Sequence, residues 1–161
     1  MPIHYTYLDS PTGSLLAIEE DGFLVGLHFE VIAPAVESDW IEDSTKFDEI
    51  RSQLNEYFDG DRVEFDIPLA PTGTEFQKEV WGALQRIPYG ETVSYSDIAI
   101  DIGRPKATRA VGTANGSNRI PIVIPCHRVV TADGGIGGFA PGTDLKFQLL
   151  ALEGAPTPTP S

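Results

Sequence analysis

The negative charge of this chain is concentrated in its first half. Residues 1–70 carry 16 acidic and 3 basic side chains and residues 71–161 carry 8 of each, so the formal charge of −13 belongs to the first half. A chain of 161 residues suits one or two small domains. The division predicts two, residues 1–70 and 71–155. A proline-rich tail, residues 156–161, is expected to be disordered.

The position of the acidic residues in the chain decides whether they argue against a nucleic-acid partner. Acidic surfaces repel phosphate, so a charge of −13 argues at first against a nucleic-acid partner. Because the excess of acidic residues lies in the first half, that argument applies only to residues 1–70. No apolar run approaches the ~18 residues that span a bilayer, and a secretion signal pattern is missing at the start. We therefore expect a cytoplasmic protein without a membrane segment.

The first half has the pattern of a small antiparallel sheet followed by a helix. Strands are predicted where β-branched and aromatic residues are enriched, at residues 4–8, 14–19 and 23–29. Asp21-Gly22, between the last two, is typical of a tight hairpin turn. The acidic residues 30–43 show no clear pattern, and a helix is predicted from about Ser44 to Gly60. This arrangement is α+β, and nothing in it concentrates chemically active side chains.

The second half is predicted to be largely helical. Helices are expected at about residues 74–87, 94–102, 106–116 and 143–154. Thr74 and Gln77 form a capping box at the start of the first. The second and third are short and joined by a turn at Gly103, which resembles a helix-turn-helix, although many helical hairpins bind nothing. Residues 120–130 are apolar and contain prolines that forbid an interior helix, so a buried, extended segment is expected.

The third helix of this half contains two glycines, Gly112 and Gly116, although glycine costs about 1 kcal/mol relative to alanine in a helix. Two explanations remain open. The helix packs closely against another helix, or it enters a narrow space with Arg109 as its one long projecting side chain. The minor groove of B-DNA is such a space, since it is only about 6 Å wide.

Cys126 is the only cysteine, which excludes an internal disulfide and any multi-thiolate metal site. A free cysteine is most simply a small buried hydrophobe. However, Cys126 follows Pro125 and precedes His127 and Arg128, and basic neighbours favour the reactive thiolate. Adjacent side chains of an extended segment point to opposite sides. His127 would therefore reach the thiol only through a bridging water or a local bend.

The run Ile124-Pro125-Cys126-His127-Arg128-Val129-Val130 resembles the active-site signature of the O6-alkylguanine-DNA alkyltransferases, also called methylated-DNA–protein-cysteine methyltransferases. The resemblance covers most of residues 74–154, and the first half resembles the family only in layout. Further matching motifs are Ile87-Pro88-Tyr89-Gly90-Glu91-Thr92, Val93-Ser94-Tyr95, Arg109-Ala110-Val111-Gly112, Asn118, Gly137-Gly138-Phe139 and Leu149 to Gly154.

The resemblance implies an α+β fold with two domains, a ribonuclease H-like N-terminal domain and a C-terminal domain of winged-helix or helix-turn-helix type. It implies a monomer that binds double-stranded DNA in the minor groove and flips the damaged base. The alkyl group of O6-alkylguanine, and also of O4-methylthymine, would pass irreversibly to Cys126. No cofactor is expected. A metal site is not expected either, since the first half offers only His4 and His28 as soft ligands.

The resemblance also assigns roles to individual residues. Cys126 would accept the alkyl group, His127 would act as a base through a water, and Glu153 would orient His127. Asn118 would support the active-site turn and Tyr95 would donate a proton or hydrogen bond to the leaving guanine. Arg109 would fill the space of the flipped base, in a groove-facing helix with Ala107, Ala110, Gly112, Thr113 and Ala114. The base pocket would include Val129, Phe139, Ala140 and Pro141.

Two other functions and several plainer explanations stay open. The alkyltransferase-like proteins share this fold and bind lesions without transferring anything, but they lack the acceptor cysteine. A cysteine hydrolase could use Cys126, His127 and Glu153. Tyr95, Glu153, Asn118 and Arg109 have ordinary explanations as a core aromatic, a helix-end acid, a turn residue and a solvated arginine. With 4 lysines against 12 aspartates and 12 glutamates, the composition is also consistent with a salt-rich, halophilic cytoplasm.

Overall fold

The computed structural model describes residues 2–160. The chain forms two compact units, Met1–Thr72 and Gly73–Ser161, so the division lies two residues after the boundary predicted between residues 70 and 71. Among the described residues, no helix is both long enough and apolar enough to cross a membrane.

The sheet of the first unit is built on three antiparallel strands, β1 (Ile3–Leu8), β2 (Leu15–Glu20) and β3 (Phe23–Phe29). Asp21 and Gly22 adopt φ angles of 56° and 83° between β2 and β3. This left-handed backbone is what the predicted two-residue hairpin turn requires. β2 lies between the other two strands, and its first five residues are buried. The hairpin prediction is therefore confirmed, and the core of the unit lies along the central strand.

A fourth strand makes this sheet mixed rather than wholly antiparallel. β4 (Ile41–Glu42) pairs in parallel with β1, and the strand order is β3-β2-β1-β4. It lies in the acidic stretch for which the sequence shows no pattern. The Asp43 amide donates to the Tyr5 carbonyl at 3.1 Å, and the rings of Tyr5 and Trp40 lie 6.3 Å apart. A strand of two residues is too short to show an alternating pattern in the sequence, so it could not be predicted. It is recognised only from these contacts with the edge of β1.

One helix completes the first unit. Asp43 caps a 3-10 turn, Ser44–Phe47, by accepting a hydrogen bond from the Thr45 amide at 3.0 Å, and α1 (Asp48–Phe58) follows directly. The helix ends before Gly60, whose φ of 83° is the left-handed conformation of a helix stop. Its inward face is formed by the buried side chains of Phe47, Ile50, Leu54 and Tyr57.

The helices of the second unit are α2 (Glu75–Leu84), α3 (Tyr95–Asp101), α4 (Thr108–Gly116) and α5 (Thr143–Leu152). The predicted capping box of Thr74 and Gln77 begins α2, and a second box, of Ser94 and Asp97, begins α3. Both α2 and α3 pack against α4. The predicted pair of short helices is therefore present, with α4 as its second member.

Residues 120–130 are buried throughout, as the sequence predicts, but the prediction that they are extended is wrong. The backbone turns back on itself, since Ile122 adopts a φ of 74° and the Ile124 amide donates to the Ile120 carbonyl at 2.9 Å. A buried peptide group needs a hydrogen-bond partner. Along most of this run the partners come from the turn itself rather than from a neighbouring strand.

The cysteine lies in a turn at the end of this run. Cys126–Arg128 form one turn of 3-10 helix, and the short strand β6 (Val129–Val130) follows. β6 pairs in parallel with β5 (Val93–Ser94), which leads directly into α3. This pairing brings the cysteine turn close to the first residue of α3.

The C-terminal tail is ordered as far as it is described, contrary to the expectation of disorder for residues 156–161. Pro158 is buried, and the Thr159 amide donates to the Gly134 carbonyl at 3.0 Å. The Ile136 amide in turn donates to the Thr159 carbonyl at 2.8 Å. Proline has no backbone N–H, but Thr159 stands between two prolines and has one to donate. The neighbouring prolines keep the chain extended. Ser161 lies outside the described residues.

Candidate active site

Asparagine side chains hold the turn that carries the cysteine. Asn118 donates to the Ile124 carbonyl at 2.8 Å and accepts from the Ile120 amide at 3.0 Å. Asn115 donates to the Cys126 carbonyl at 3.4 Å. These bonds give polar partners to backbone groups that the turn would otherwise bury unpaired. The expected supporting role of Asn118 thus has a direct geometric basis.

The Cys126 thiol is only 4% exposed. Burial raises the pKa of this thiol to about 11, although the Asn118 side-chain hydrogen bond and the charge of Lys146 act in the opposite direction. A thiol with this pKa is almost entirely protonated at neutral pH. It therefore needs a base before it can act as a nucleophile.

His127, the next residue in the cysteine turn, is fully buried. Its Nε2 lies 2.8 Å from the Oε2 of Glu153, the residue that follows α5. Burial lowers the pKa of His127, despite the opposing effect of the Glu153 carboxylate, so the ring is neutral. A carboxylate at Nε2 places the single proton there and leaves the lone pair on Nδ1. Among the described residues, Nδ1 has no hydrogen-bond partner.

Arg128 neutralises the buried carboxylate. It donates to Glu153 through Nε at 2.8 Å and through Nη2 at 3.0 Å, and through Nη1 to the Ile87 carbonyl at 2.7 Å. The guanidinium lies 5.7 Å from the centre of the Tyr89 ring. A fork-to-fork pair of this kind favours the charged carboxylate. His127 is therefore held by a carboxylate whose charge the Arg128 guanidinium balances.

Tyr95 and a buried lysine lie beside the thiol. Burial raises the pKa of the Tyr95 phenol, and the charge of Cys126 adds to this effect. Lys146 is fully buried, with Nζ 6.0 Å from the Tyr95 ring centre and 3.2 Å from the Gly138 carbonyl. A Cβ at Gly137 would lie 2.9 Å from the Tyr95 hydroxyl and 3.4 Å from Nζ. Glycine is therefore required at 137 both for space and for its φ of 69°.

One side of α4 is exposed and made of small residues around one arginine. Arg109, Ala110, Thr113 and Gly116 are exposed, and Ala107 and Gly112 are partly so. A Cβ would meet nothing within 4 Å at Gly116 and only the Tyr95 ring, at 3.8 Å, at Gly112. Close packing within the protein therefore does not account for these glycines. A thin outer face with one long side chain remains as the explanation.

Two family descriptions match nearly the whole chain. The DNA-binding domain of 6-O-methylguanine DNA methyltransferase matches residues 75–155, and its ribonuclease-like domain matches residues 3–71. The chain belongs to the 6-O-methylguanine DNA methyltransferase family. The match to the first unit extends the sequence-based resemblance, which was specific only over residues 74–154.

Relatives of this methyltransferase family align over almost their full length. The methylated-DNA–protein-cysteine methyltransferase of Methanosarcina acetivorans is 46% identical over 95% of this chain and 99% of its own. The constitutive enzyme of that name from Bacillus subtilis is 40% identical over 93% and 94% of the two chains. The crystal structure of Mycobacterium tuberculosis OGT in complex with DNA is 45% identical, covers 95% of both chains and superposes with a TM-score of 0.88.

Most of the residues expected from the methyltransferase resemblance lie together. Cys126, His127 and Glu153 are joined through one turn and one hydrogen bond, and Asn118 and Tyr95 flank the thiol. In the expected base pocket Val129 is fully buried, Phe139 and Pro141 are partly buried, and Ala140 is exposed. These last three lie in the loop between Gly137 and Gly142.

One residue expected on the groove-facing side of α4 is not there. Ala114 is 3% exposed, and its carbonyl accepts a hydrogen bond from the Trp81 indole at 2.9 Å. It therefore belongs to the contact between α2 and α4. The helical repeat explains this, because Ala114 lies three residues after buried Val111 and on the same side.

Two charged residues have interior positions that the sequence analysis did not assign. Arg128, which the sequence suggests as a basic neighbour of the thiolate, is 6% exposed and pairs with Glu153. Lys146 was not considered at all. Its position offers a signal, since it shares a helix face with Leu149 and Leu150, three and four residues later, and both are buried. A lysine on the apolar face of a helix is therefore a candidate for an interior charge.

Proposed function

We propose that this protein repairs DNA by moving the alkyl group of O6-alkylguanine to Cys126 in a single, irreversible reaction. The observation that carries the proposal is the arrangement of a buried, protonated thiol, a neutral histidine with a lone pair on Nδ1, and a carboxylate that fixes the histidine ring. Family membership and the relatives named above support the same activity.

The transfer needs only the protein, the alkylated DNA and one bridging water. His127 Nδ1 takes the Cys126 proton through a bridging water, and the thiolate sulfur attacks the alkyl carbon opposite the guanine oxygen. A carbon–sulfur bond forms as the carbon–oxygen bond breaks, and the electron pair of the broken bond leaves with guanine. Tyr95 donates a proton or hydrogen bond to that leaving group, which lowers the barrier. The product is a thioether, so each molecule reacts once.

Glu153 and Arg128 support the proton transfer. When His127 accepts a proton, a buried imidazolium forms beside the Glu153 carboxylate at 2.8 Å. Arg128 holds that carboxylate ionised and in place through two hydrogen bonds. The imidazolium is therefore stabilised by a preformed anion rather than by reorganisation of the site, which is the general advantage of a preorganised active site.

The exposed side of α4 is proposed to enter the minor groove. Small side chains allow the helix backbone to approach the base edges, and Arg109 replaces the flipped nucleotide in the stack. Flipping costs a few kcal/mol of unstacking, and less for a damaged base pair. We also propose activity on O4-methylthymine, a monomeric state, a cytoplasmic location and adaptation to high salt. The salt proposal is wrong if the protein is already fully folded at low salt.

Intact-protein mass spectrometry tests the function. Incubation with duplex DNA containing O6-methylguanine should add the mass of one CH2 unit, located by proteolysis to the peptide with Cys126. The Cys126→Ala variant should gain nothing. Tight lesion binding without a mass change would instead indicate a lesion-binding protein, and multiple turnover of a small ester would indicate a cysteine hydrolase.

A further inference from the structure

The loop that carries part of the base pocket is rich in glycine. Residues 137–142 include three glycines among six residues. Glycine has more backbone freedom than any other residue, so such a loop keeps one conformation only when other parts of the protein hold it. Lys146 holds the Gly138 carbonyl at 3.2 Å, and the Gly142 amide donates to the Phe139 carbonyl at 2.9 Å. These bonds fix the middle and the end of the loop.

The beginning of the loop is held by the C-terminal tail. Thr159 donates its amide to the Gly134 carbonyl at 3.0 Å and accepts from the Ile136 amide at 2.8 Å. Both backbone polar groups of Thr159 are therefore bound to the segment that leads into the loop. Ile136 is 3% exposed and is the last residue before the loop, and Pro158 beside Thr159 is buried.

We propose that the tail, residues 156–160, is a strap that positions the base-pocket loop, and that Thr159 is its positioning residue. The inference rests on the proposed function, because it concerns how the alkylated base is placed against Cys126. Thr159 acts on the base through Ile136 and the loop. Its backbone forms both hydrogen bonds, so the strap depends on the amide at this position.

The composition of the tail suits this role. Prolines at 156, 158 and 160 restrict the free chain and so reduce the entropy that docking costs. Proline carries no amide, and Thr159 stands between two of them with its amide available. In-line displacement is sensitive to small displacements, since a misplacement of about 1 Å can cost about 100-fold in rate. A loosened loop should therefore lower the transfer rate without weakening DNA binding, which depends on α4.

The test compares four full-length proteins and one shortened chain. Thr159→Pro removes the amide donor, and Thr159→Val keeps it. Thr157→Pro is the matched control, since Thr157 is exposed and carries neither of the two strap bonds. A chain that ends at Ala155 has no Thr159 and therefore neither of the two strap bonds. The match to the family's DNA-binding domain also ends at residue 155. For each protein, hydrogen exchange at Ile136, the dissociation constant for unmodified duplex, and the rate of alkyl transfer at saturating methylated DNA are measured.

The expected results separate the strap from the function itself. Thr159→Pro and the shortened chain should expose the Ile136 amide and transfer methyl about 10 to 100 times more slowly, with an unchanged dissociation constant. Thr159→Val and Thr157→Pro should match the unaltered protein. Equal transfer rates in the shortened chain, or a parallel loss of DNA binding, would overturn the proposal. If the unaltered protein itself gains no mass, the proposed function has failed instead.

Discussion

Replacing Lys146 by methionine should make the protein more stable and less active. Burial lowers the pKa of Lys146 from 10.5 to about 8. A shift of that size corresponds to about 3 kcal/mol by which folding disfavours the charged form. The ammonium also donates to the Gly138 carbonyl, a bond worth about 1 kcal/mol that water can replace because Gly138 is exposed. Methionine has similar length and no charge, so we expect Lys146→Met to raise the free energy of unfolding by about 2 kcal/mol at pH 7.

The pH dependence of this gain follows from the same shift. Between pH 8 and 10.5 the unfolded chain keeps the Lys146 proton while the folded protein loses it, so the stability of the lysine form rises with pH. The advantage of methionine should therefore shrink across this range. The Cys126 thiol, with a pKa raised to about 11, has the opposite effect above pH 9, since there the unfolded chain loses the thiol proton first. A Cys126→Ala background removes this contribution.

Urea unfolding at pH 7 and at pH 10 measures both effects. Cys126→Ala is compared with the Cys126→Ala, Lys146→Met double variant. In the Cys126-containing protein, Lys146→Met should also slow alkyl transfer by about ten-fold or more, because the positive charge that favours the thiolate is gone. The reasoning is refuted if methionine destabilises the protein at pH 7, or if the stability difference is the same at both pH values.

Three further substitutions test other parts of the site. Gly137→Ala should slow transfer, because its Cβ would lie 2.9 Å from the hydroxyl of the tyrosine that begins α3. Gly60→Ala, in the first unit, has the same kind of positive φ with nothing within 4 Å and should affect stability alone. Arg109→Ala should slow transfer from duplex DNA but not from free O6-benzylguanine, since base flipping costs a few kcal/mol only in a duplex. Arg104 is the control, because its guanidinium pairs with a glutamate at 3.1 Å, and Arg104→Ala should leave both rates unchanged. Glu153→Gln should destabilise folding by about 3–5 kcal/mol and slow transfer, because it leaves a buried guanidinium without its anion; equal urea midpoints would contradict this.

Local signals in the sequence predicted the parts of the fold that local interactions decide. The capping box at Thr74 satisfies amides within three residues, and the Asp21-Gly22 turn needs only its own backbone angles. Such features are readable because the residues that form them are neighbours in sequence. Cys126 and its partners were found through the family signature around it, and Glu153, distant in sequence, through the resemblance alone.

The errors arose where irregular or distant contacts decide the structure. The run 120–130 was expected to be extended, but hydrogen bonds from Asn118 make a turn more favourable. The tail was expected to be disordered on composition, but Thr159 pairs with a segment more than 20 residues earlier. From its place in the sequence, Arg128 is expected to favour the Cys126 thiolate, but it pairs with Glu153 instead. Its partner Glu153 lies 25 residues away, and only the folded chain shows the pair.

The interior cations change what the charge of the second unit means for DNA binding. Eight basic residues balance eight acidic ones there, but Arg128 and Lys146 are buried, and two more basic side chains, those of Arg86 and Arg104, form surface ion pairs. At most four are then left for phosphates, and one of these, Arg119, also interacts within the protein. Each phosphate neutralised contributes about −0.9 to the slope of log K against log salt. We therefore expect a slope no steeper than about −4 for unmodified duplex, measured by fluorescence anisotropy between 50 and 500 mM salt, about a tenfold range. A steeper slope would mean that ion pairs open to bind DNA. A shallow one would show that the narrow face of α4, rather than positive charge, supplies the affinity, and such a protein loses little of it in concentrated salt.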